Sequence, residues 1–177
     1  MLEEKFVKTT KFVELDESNY NAFQNEYASL LQTIGSELDL FFKIFCGFDQ
    51  SNRITINCYA DNIFGNYNNI TSQEIVVNKI KFKPFENWNT QTPSKSLEWW
   101  KAYNNIKHNR NDNMKRASQK NVLYILGALF LLEMKYCKNI TQSSMQPDIP
   151  LNQSKLFTLT VWNSNWYSSS GIMLKNT

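Results

Sequence analysis

The sequence predicts a mainly α-helical bundle with a small β addition, that is, an α+β protein, and three observations support this class. Apolar residues recur at helical spacing through residues 17–45 and, more densely, through residues 115–138. Two short segments, 74–85 and 155–162, instead have the composition of strands. The chain has 177 residues, of which 42% are hydrophobic, so it is long enough to bury a core of its own.

We therefore expect a single domain over residues 1–177. Its helical core should comprise about residues 16–47 and 96–138, with β and loop elaborations at about 50–93 and 150–177. No internal repeat is present that would indicate a solenoid instead.

The first predicted helix covers residues 17–45, and Gly47 is suited to end it. Glu37 lies at the margin of its apolar stripe, whereas Asp39 is expected to point away from the core. A carboxylate at the edge of a core usually pairs with a basic or hydroxyl group from another helix, which makes Glu37 a candidate binding residue. A solvated surface glutamate is the alternative.

The following segment mixes strand and helix signals. Residues 53–59 alternate weakly between apolar and polar types, and a helix beginning after them fits equally well. Residues 74–85 combine β-branched residues with apolar residues that alternate with lysines, which predicts a strand closed by Pro84. Residues 86–95 are expected to form a loop.

Two helices and a strand are predicted for the remainder of the chain. One helix should run over about residues 96–110, and the long helix 115–138 should be central because it is apolar around much of its circumference. Gly127 would permit the close approach of a neighbouring helix. Residues 155–162 are expected to pair as a strand with residues 74–85.

The composition argues against several classes of protein. The three cysteines are far apart without a CxxC pair, and a single histidine with dispersed carboxylates gives no metal-binding pattern. No glycine-rich phosphate loop or nucleophile elbow is present, so we expect neither a metal nor a cofactor. The amino-terminal residues lack an apolar signal core, and the apolar run 122–132 is too short to cross a bilayer. A cytoplasmic protein without membrane contact is therefore expected.

Basic residues concentrate in and between the last two predicted helices. They are Lys101, Lys107, His108, Arg110, Lys115, Arg116 and Lys120. The formal net charge of the chain is only +3, which is low for a dedicated duplex-binding protein. The basic residues would nevertheless form a local patch that attracts phosphates, with an ordinary solvated face as the alternative.

Two stripes of side chains follow the helix 96–110. The first is typical of a core face that ends in an arginine and contains Trp99, Tyr103, Ile106 and Arg110. The second contains Trp100, Asn104, Lys107, His108 and Asn111. A histidine, an amide and a lysine that converge can bind a phosphate and move a proton, because imidazole titrates near neutral pH. This chemistry fits metal-independent RNA cleavage and fits phosphate or nucleotide recognition equally well. These residues could instead satisfy backbone groups at the helix end.

The segment YNNIKH, Tyr103 to His108, resembles the motif of the HEPN family (higher eukaryotes and prokaryotes nucleotide-binding), which is commonly RNxxxH on a bundle helix. Asn104 and His108 match its polar residue and its histidine, and Tyr103 stands where the family has arginine. Glu37 is similar to an acidic residue that the family often places in its first helix. The stretch WWxxYNxxKHxR is also similar to one in uncharacterised bacterial and phage-defence-associated proteins.

The resemblance implies a HEPN-like bundle that cleaves RNA without metal at a site shared by two subunits, in a phage-defence or toxin–antitoxin setting. It implies RNA or a nucleotide as ligand and a homodimer as assembly. His108 would act as acid or base, Lys107 would stabilise charge and Asn104 would orient the phosphate, with Arg110, Tyr103, Trp100 and Glu37 as binding residues. Tyrosine cannot replace the fork-shaped donor of arginine. A non-catalytic module that dimerises or binds a protein partner is therefore the alternative.

Overall fold

The computed structural model describes residues 2–67, 69–143, 154–159, 166–167 and 173–174. It is mainly helical with a small antiparallel sheet, which confirms the predicted fold class. The α-helices in the described residues are α1 (Leu2–Thr9), α2 (Asn25–Cys46), α3 (Ile56–Asn66), α4 (Pro93–Ser96), α5 (Glu98–His108), α6 (Arg110–Asn113) and α7 (Gln119–Ser143). Short 3₁₀ turns cover Glu17–Asn19, Ile70–Ser72 and Met114–Arg116. The strands are β1 (Ile75–Val77), β2 (Ile80–Phe82), β3 (Thr158–Leu159), β4 (Trp166–Tyr167) and β5 (Met173–Leu174).

Helix α7 is the central element of the described structure, as predicted. Residues 122–132 are buried on every side of the helix, with Tyr124 half-buried. Phe23 pairs with Ser118 just before α2 and α7 begin, and Phe41 packs edge-on against Tyr136 further along. These two contacts show that α2 and α7 run parallel. An apolar helix of this kind is stable because its neighbours cover its whole circumference.

Helix α2 begins at Asn25, later than predicted. Phe23 makes an isolated antiparallel bridge with Ser118, and Gln24 is extended, so the preceding residues cannot continue the helix. Gly47 ends α2 as predicted, because its φ of 69° lies in the left-handed region that glycine adopts without strain.

The predicted strand over residues 74–85 is a hairpin of β1 and β2, and its turn contains Asn78 with a φ of 53°. In one continuous strand Ile75 and Val77 would face the side opposite to Ile80 and Phe82, because side chains alternate. The turn brings all four side chains to the buried face. Asparagine tolerates the left-handed conformation that this turn requires.

Strand β3 pairs antiparallel with β1, so the predicted association of the two strand segments is confirmed for the described residues. The remainder of that predicted strand, residues 160–162, lies outside them. Gly127 faces the hairpin instead of a helix, because a Cβ there would lie 2.7 Å from Ile75 Cδ1 and 2.8 Å from Phe82 Cζ. The close approach that it permits is thus between α7 and the sheet.

Three other boundaries differ from the predictions. Residues 56–66 form the helix α3, and α4 covers the last three residues of the predicted loop together with Ser96. Helix α5 ends at His108, because the Asn109 side chain accepts a hydrogen bond from the Asp112 amide and caps the separate helix α6. In the part of the chain that the structure describes, none of the helices combines the length and the apolar character needed to cross a membrane.

Candidate functional site

Helix α5 lies antiparallel to α2, and two contacts fix its position. The Tyr103 ring rests directly on Gly35, where a Cβ would lie only 2.2 Å from the ring atom Cδ2. Further along, the Gln32 side-chain amide donates to the Ile106 carbonyl at 3.3 Å. That carbonyl belongs to the last turn of α5, where backbone acceptors lack partners in their own helix. Helix α2 therefore supports the end of α5 that carries Lys107 and His108.

One side of α5 is core, as the first stripe predicts. The exposed fractions of Trp99, Tyr103 and Ile106 are 2%, 2% and 1%. The indole nitrogen of Trp99 donates to the Pro84 carbonyl at 2.8 Å, which ties the start of α5 to the end of the hairpin. A buried indole N–H needs such a partner, and this bond supplies it.

Trp100 belongs to the core as well, which corrects its predicted place on a polar surface stripe. Its ring centroid lies 6.0 Å from that of Phe42 and 5.5 Å from that of Tyr103, and 6% of the residue is exposed. Because α2 covers this side of α5, neither Trp100 nor the ring of Tyr103 presents a face on which a base could stack.

The polar residues of α5 are not gathered into one cluster. The Asn104 amide donates to the Trp100 carbonyl at 2.9 Å, within its own helix. The Lys107 ammonium donates to the Tyr103 hydroxyl at 3.3 Å and lies 5.4 Å from the centre of that ring. His108, the last residue of α5, is exposed, and its side chain makes no hydrogen bond or ion pair with the described residues. Lys107 and His108 are therefore the groups that solution ligands can reach.

Arg110 is occupied elsewhere. Its guanidinium donates to the Asn25 carbonyl at 3.1 Å and to the Asn25 side-chain oxygen at 3.3 Å, at the start of α2. The predicted stripe that joined Arg110 to Trp99, Tyr103 and Ile106 does not exist, because α5 ends at His108 and Arg110 begins the separate helix α6. Arg110 is predicted to bind a ligand, but its guanidinium is already hydrogen-bonded to Asn25 within the protein.

Glu37 is exposed and makes no hydrogen bond or ion pair with the described residues, whereas Asp39 is half-buried. The Tyr59 hydroxyl donates to the Asp39 carboxylate at 3.2 Å and to its carbonyl at 3.3 Å. Burial, and secondarily the Asp39 charge, raise the pKa of the Tyr59 phenol. The expectation that Glu37 borders the core and Asp39 points away is therefore wrong. Helix α3 packs on the flank of α2 that carries Asp39, and the apolar stripe of α2 alone does not reveal this neighbour.

A second surface feature, which we call the cationic cleft, is not apparent from the sequence. It is a cavity of about 370 Å³ lined by Asn21 and by residues of three chain segments, namely 83–87, 96–99 and 115–124. Lys115, Arg116 and Lys120 were recognised as basic, but Lys83 belongs to a predicted strand far away in sequence. The cleft could not be found from spacing because the hairpin and α5 first have to fold against α7.

No group of three or more His, Cys, Asp or Glu side chains among the residues with a described position could hold a metal ion. Comparisons with protein-family models, curated proteins and solved structures returned no match.

Proposed function

We propose that this chain is an RNA-binding helical protein of the HEPN-like type, and that RNA contacts the end of α5. The observation that carries the proposal is that Lys107 and the next residue, His108, are both exposed on the last turn of that helix. Lys107 forms no ion pair with a carboxylate of the described residues, so its charge is not neutralised. The Tyr103 hydroxyl nevertheless restrains the ammonium, which favours a phosphate ligand over nonspecific solvation.

The same arrangement supports binding more strongly than cleavage. In metal-independent cleavage, the imidazole of His108 would take the proton of a ribose 2′-hydroxyl, and Lys107 would stabilise the charge that develops on phosphorus oxygens. Efficient cleavage needs further donors at the phosphate. Asn104 is hydrogen-bonded within its helix, and Tyr103 is buried where the motif has arginine. The HEPN resemblance also implies a site shared by two copies, which would bring a second set of groups.

The first test measures the binding of a fluorescein-labelled single-stranded RNA by anisotropy at several salt concentrations. We expect Lys107→Gln to weaken binding about tenfold and to lower the salt slope by about 1, as for the loss of one phosphate contact. Lys81→Gln, a change in an exposed lysine of β2, is the matched control and should bind as wild type does. Equal affinities for the Lys107→Gln and Lys81→Gln variants, or no binding by wild type, would contradict the proposal.

The second test separates binding from cleavage. Mixed RNA is incubated in EDTA with wild type and with His108→Ala to measure cleavage. Light scattering of the protein with and without RNA gives the mass of the complex and so reports binding and dimer formation. Cleavage by wild type alone would establish the nuclease, and binding without cleavage would establish a non-catalytic module. A defence or toxin–antitoxin role further predicts that expression of wild type, but not of His108→Ala, slows bacterial growth.

A further inference from the structure

The cationic cleft is a half-open groove at the opposite end of α5 from His108. Its floor is formed by Leu97 and Trp99 at the start of α5 and by Pro84 at the end of the hairpin, all of them buried. Its volume of about 370 Å³ falls in the range of small-molecule sites, which is about 300–1,000 Å³. The cleft is thus large enough for one nucleotide-sized ligand.

Positive charge dominates the lining of the cleft. The four basic side chains are Lys83, Lys115, Arg116 and Lys120. The two carboxylates are Glu86 and Glu98, and Glu98 lies 3.6 Å from the Lys101 ammonium. Within the described residues, none of the four basic groups has a carboxylate within 4 Å. The cleft therefore keeps a net positive charge that only an added anion would balance.

Lys120 is held in place without being neutralised. Its ammonium lies 5.7 Å from the centre of the Tyr20 ring and 5.4 Å from the centre of the Tyr124 ring. The two rings themselves pack edge to face at 6.4 Å. Aromatic faces attract a cation but do not cancel its charge, and they reduce the entropy that the side chain would lose on binding a ligand.

The backbone amides at the start of α7 do not supply the anion site. The Gln119 amide donates to the Ala22 carbonyl at 2.9 Å, and the Lys120 amide donates to the Tyr20 carbonyl at 3.2 Å. The Asn121 backbone amide donates to the Ser118 hydroxyl at 3.3 Å. Because these donors are occupied, recognition of an anion in the cleft depends on the basic side chains.

We infer that the cationic cleft binds the phosphomonoester of a ribonucleotide, either a free mononucleotide or the 5′-phosphate of an RNA strand. Four basic groups suit a doubly charged phosphate better than the single charge of a phosphodiester. The carboxylate of Glu86 and the exposed amide of Asn87 lie on the hairpin side, where they can bind hydroxyls or amino groups of the nucleoside. The inference for an RNA 5′-phosphate rests on the proposed function, whereas the inference for a free mononucleotide does not.

The two surfaces are spaced so that one RNA strand can reach both. The cleft is lined by residues 96–99, whereas His108 is ten residues beyond Glu98 in α5. At about 1.5 Å per residue this separates them by about 15 Å. A stacked strand advances about 3.4 Å per nucleotide, so about four to five nucleotides span the distance. A 5′-phosphate in the cleft would thus set which internal phosphate lies at His108.

Isothermal titration of the full chain with adenosine 5′-monophosphate, adenosine and inorganic phosphate tests the site. We expect the monophosphate to bind at least tenfold more tightly than adenosine, and phosphate to compete with it. Lys120→Gln should weaken the monophosphate at least tenfold, or about 1.4 kcal/mol. Lys120→Arg should retain most of the affinity, and Lys81→Gln should retain all of it. Equal binding of adenosine and its monophosphate, or wild-type affinity in Lys120→Gln, would overturn the inference.

A second titration distinguishes a free mononucleotide from the 5′-phosphate of RNA as the ligand. It compares the binding of two six-nucleotide RNAs that differ only in carrying a 5′-phosphate or a 5′-hydroxyl. Preference for the phosphorylated strand, lost in Lys120→Gln, supports the inference for an RNA 5′-phosphate. Tight monophosphate binding without preference between the strands assigns the cleft to free nucleotides. If neither phosphate form is preferred but Lys107→Gln loses RNA, the inference fails while the proposed function stands. If the monophosphate binds and no RNA does, the proposed function fails instead.

Discussion

Replacing Gly35 with alanine should destabilise the protein through the contact that positions the candidate site. The added Cβ would lie 2.2, 2.5 and 2.6 Å from the Cδ2, Cγ and Cε2 atoms of the Tyr103 ring. All three distances are far below van der Waals contact. The ring cannot turn aside easily, because it is 2% exposed and packs against Trp100 on its own helix. Relief therefore requires α5 to move away from α2.

The magnitude follows from two opposing terms. Overpacking a core of this kind costs about 1–3 kcal/mol, and the overlap of three ring atoms places Gly35→Ala toward the upper end. Alanine is a better helix former than glycine by about 1 kcal/mol, which offsets part of that cost. We expect a net loss of about 2 kcal/mol in the free energy of unfolding. Because Tyr103 also bonds to Lys107, RNA affinity should fall in the same variant.

Urea unfolding followed by circular dichroism measures this loss, with Gly65→Ala as the matched control. Gly65 also lies in a helix, and no atom lies within 4 Å of a Cβ placed there. The control should be up to about 1 kcal/mol more stable than wild type. In a Tyr103→Ala background, Gly35→Ala should cost little, since the ring is gone. Equal stabilities for the Gly35→Ala and Gly65→Ala variants would refute the reasoning.

Three further predictions concern other contacts. Tyr59→Phe should lower the free energy of unfolding by about 1 kcal/mol in urea titrations, because it deletes the hydroxyl that donates to Asp39; an unchanged midpoint would contradict this role. Although the Glu133 side chain is exposed, partial desolvation of its carboxyl group and then the charge of Glu3 raise its pKa from its usual 4.5 to about 7. The folded state therefore holds this proton more tightly, and stability should fall as the pH rises from about 4.5 to 7, a slope that Glu133→Gln should flatten. Asn104→Ala should change RNA affinity less than about twofold, since its amide is bound within α5; a loss as large as the tenfold loss expected for Lys107→Gln would assign Asn104 a direct contact.

The sequence alone predicted the helical part of the fold because that part depends on local periodicity. The apolar residues of α7 identify it as central, and Gly47 marks the end of α2, without knowledge of any partner. The hairpin was missed because Asn78 turns the chain in the middle of an apolar segment, and the turn residue is visible only when the faces of both strands are compared. The β3 pairing was predictable from composition, since few strand segments were available to pair.

The candidate site was less predictable, because it depends on which elements cover each helix. A helical projection placed Trp100 with the polar residues of α5, but α2 covers that flank and buries the indole. The projection of α2 gave Glu37 a partner, although α3 covers the flank that carries Asp39. Lys83 could not be assigned to the cationic cleft from the sequence either, because it reaches the cleft only through the packing of the hairpin.

The position of Tyr103 changes what its departure from the HEPN motif means. On an exposed face, tyrosine in place of arginine would simply remove a phosphate donor. Here the side chain at position 103 is directed at Gly35 in the contact between α2 and α5. An arginine there would bury a guanidinium beside the Lys107 ammonium, at a cost of several kcal/mol unless a carboxylate were supplied. Position 103 therefore favours an uncharged ring, and the proposed function takes its phosphate-binding charge from a neighbour. Lys107 fills that part in the proposed function, because the Tyr103 hydroxyl holds its ammonium at 3.3 Å at the edge of the core.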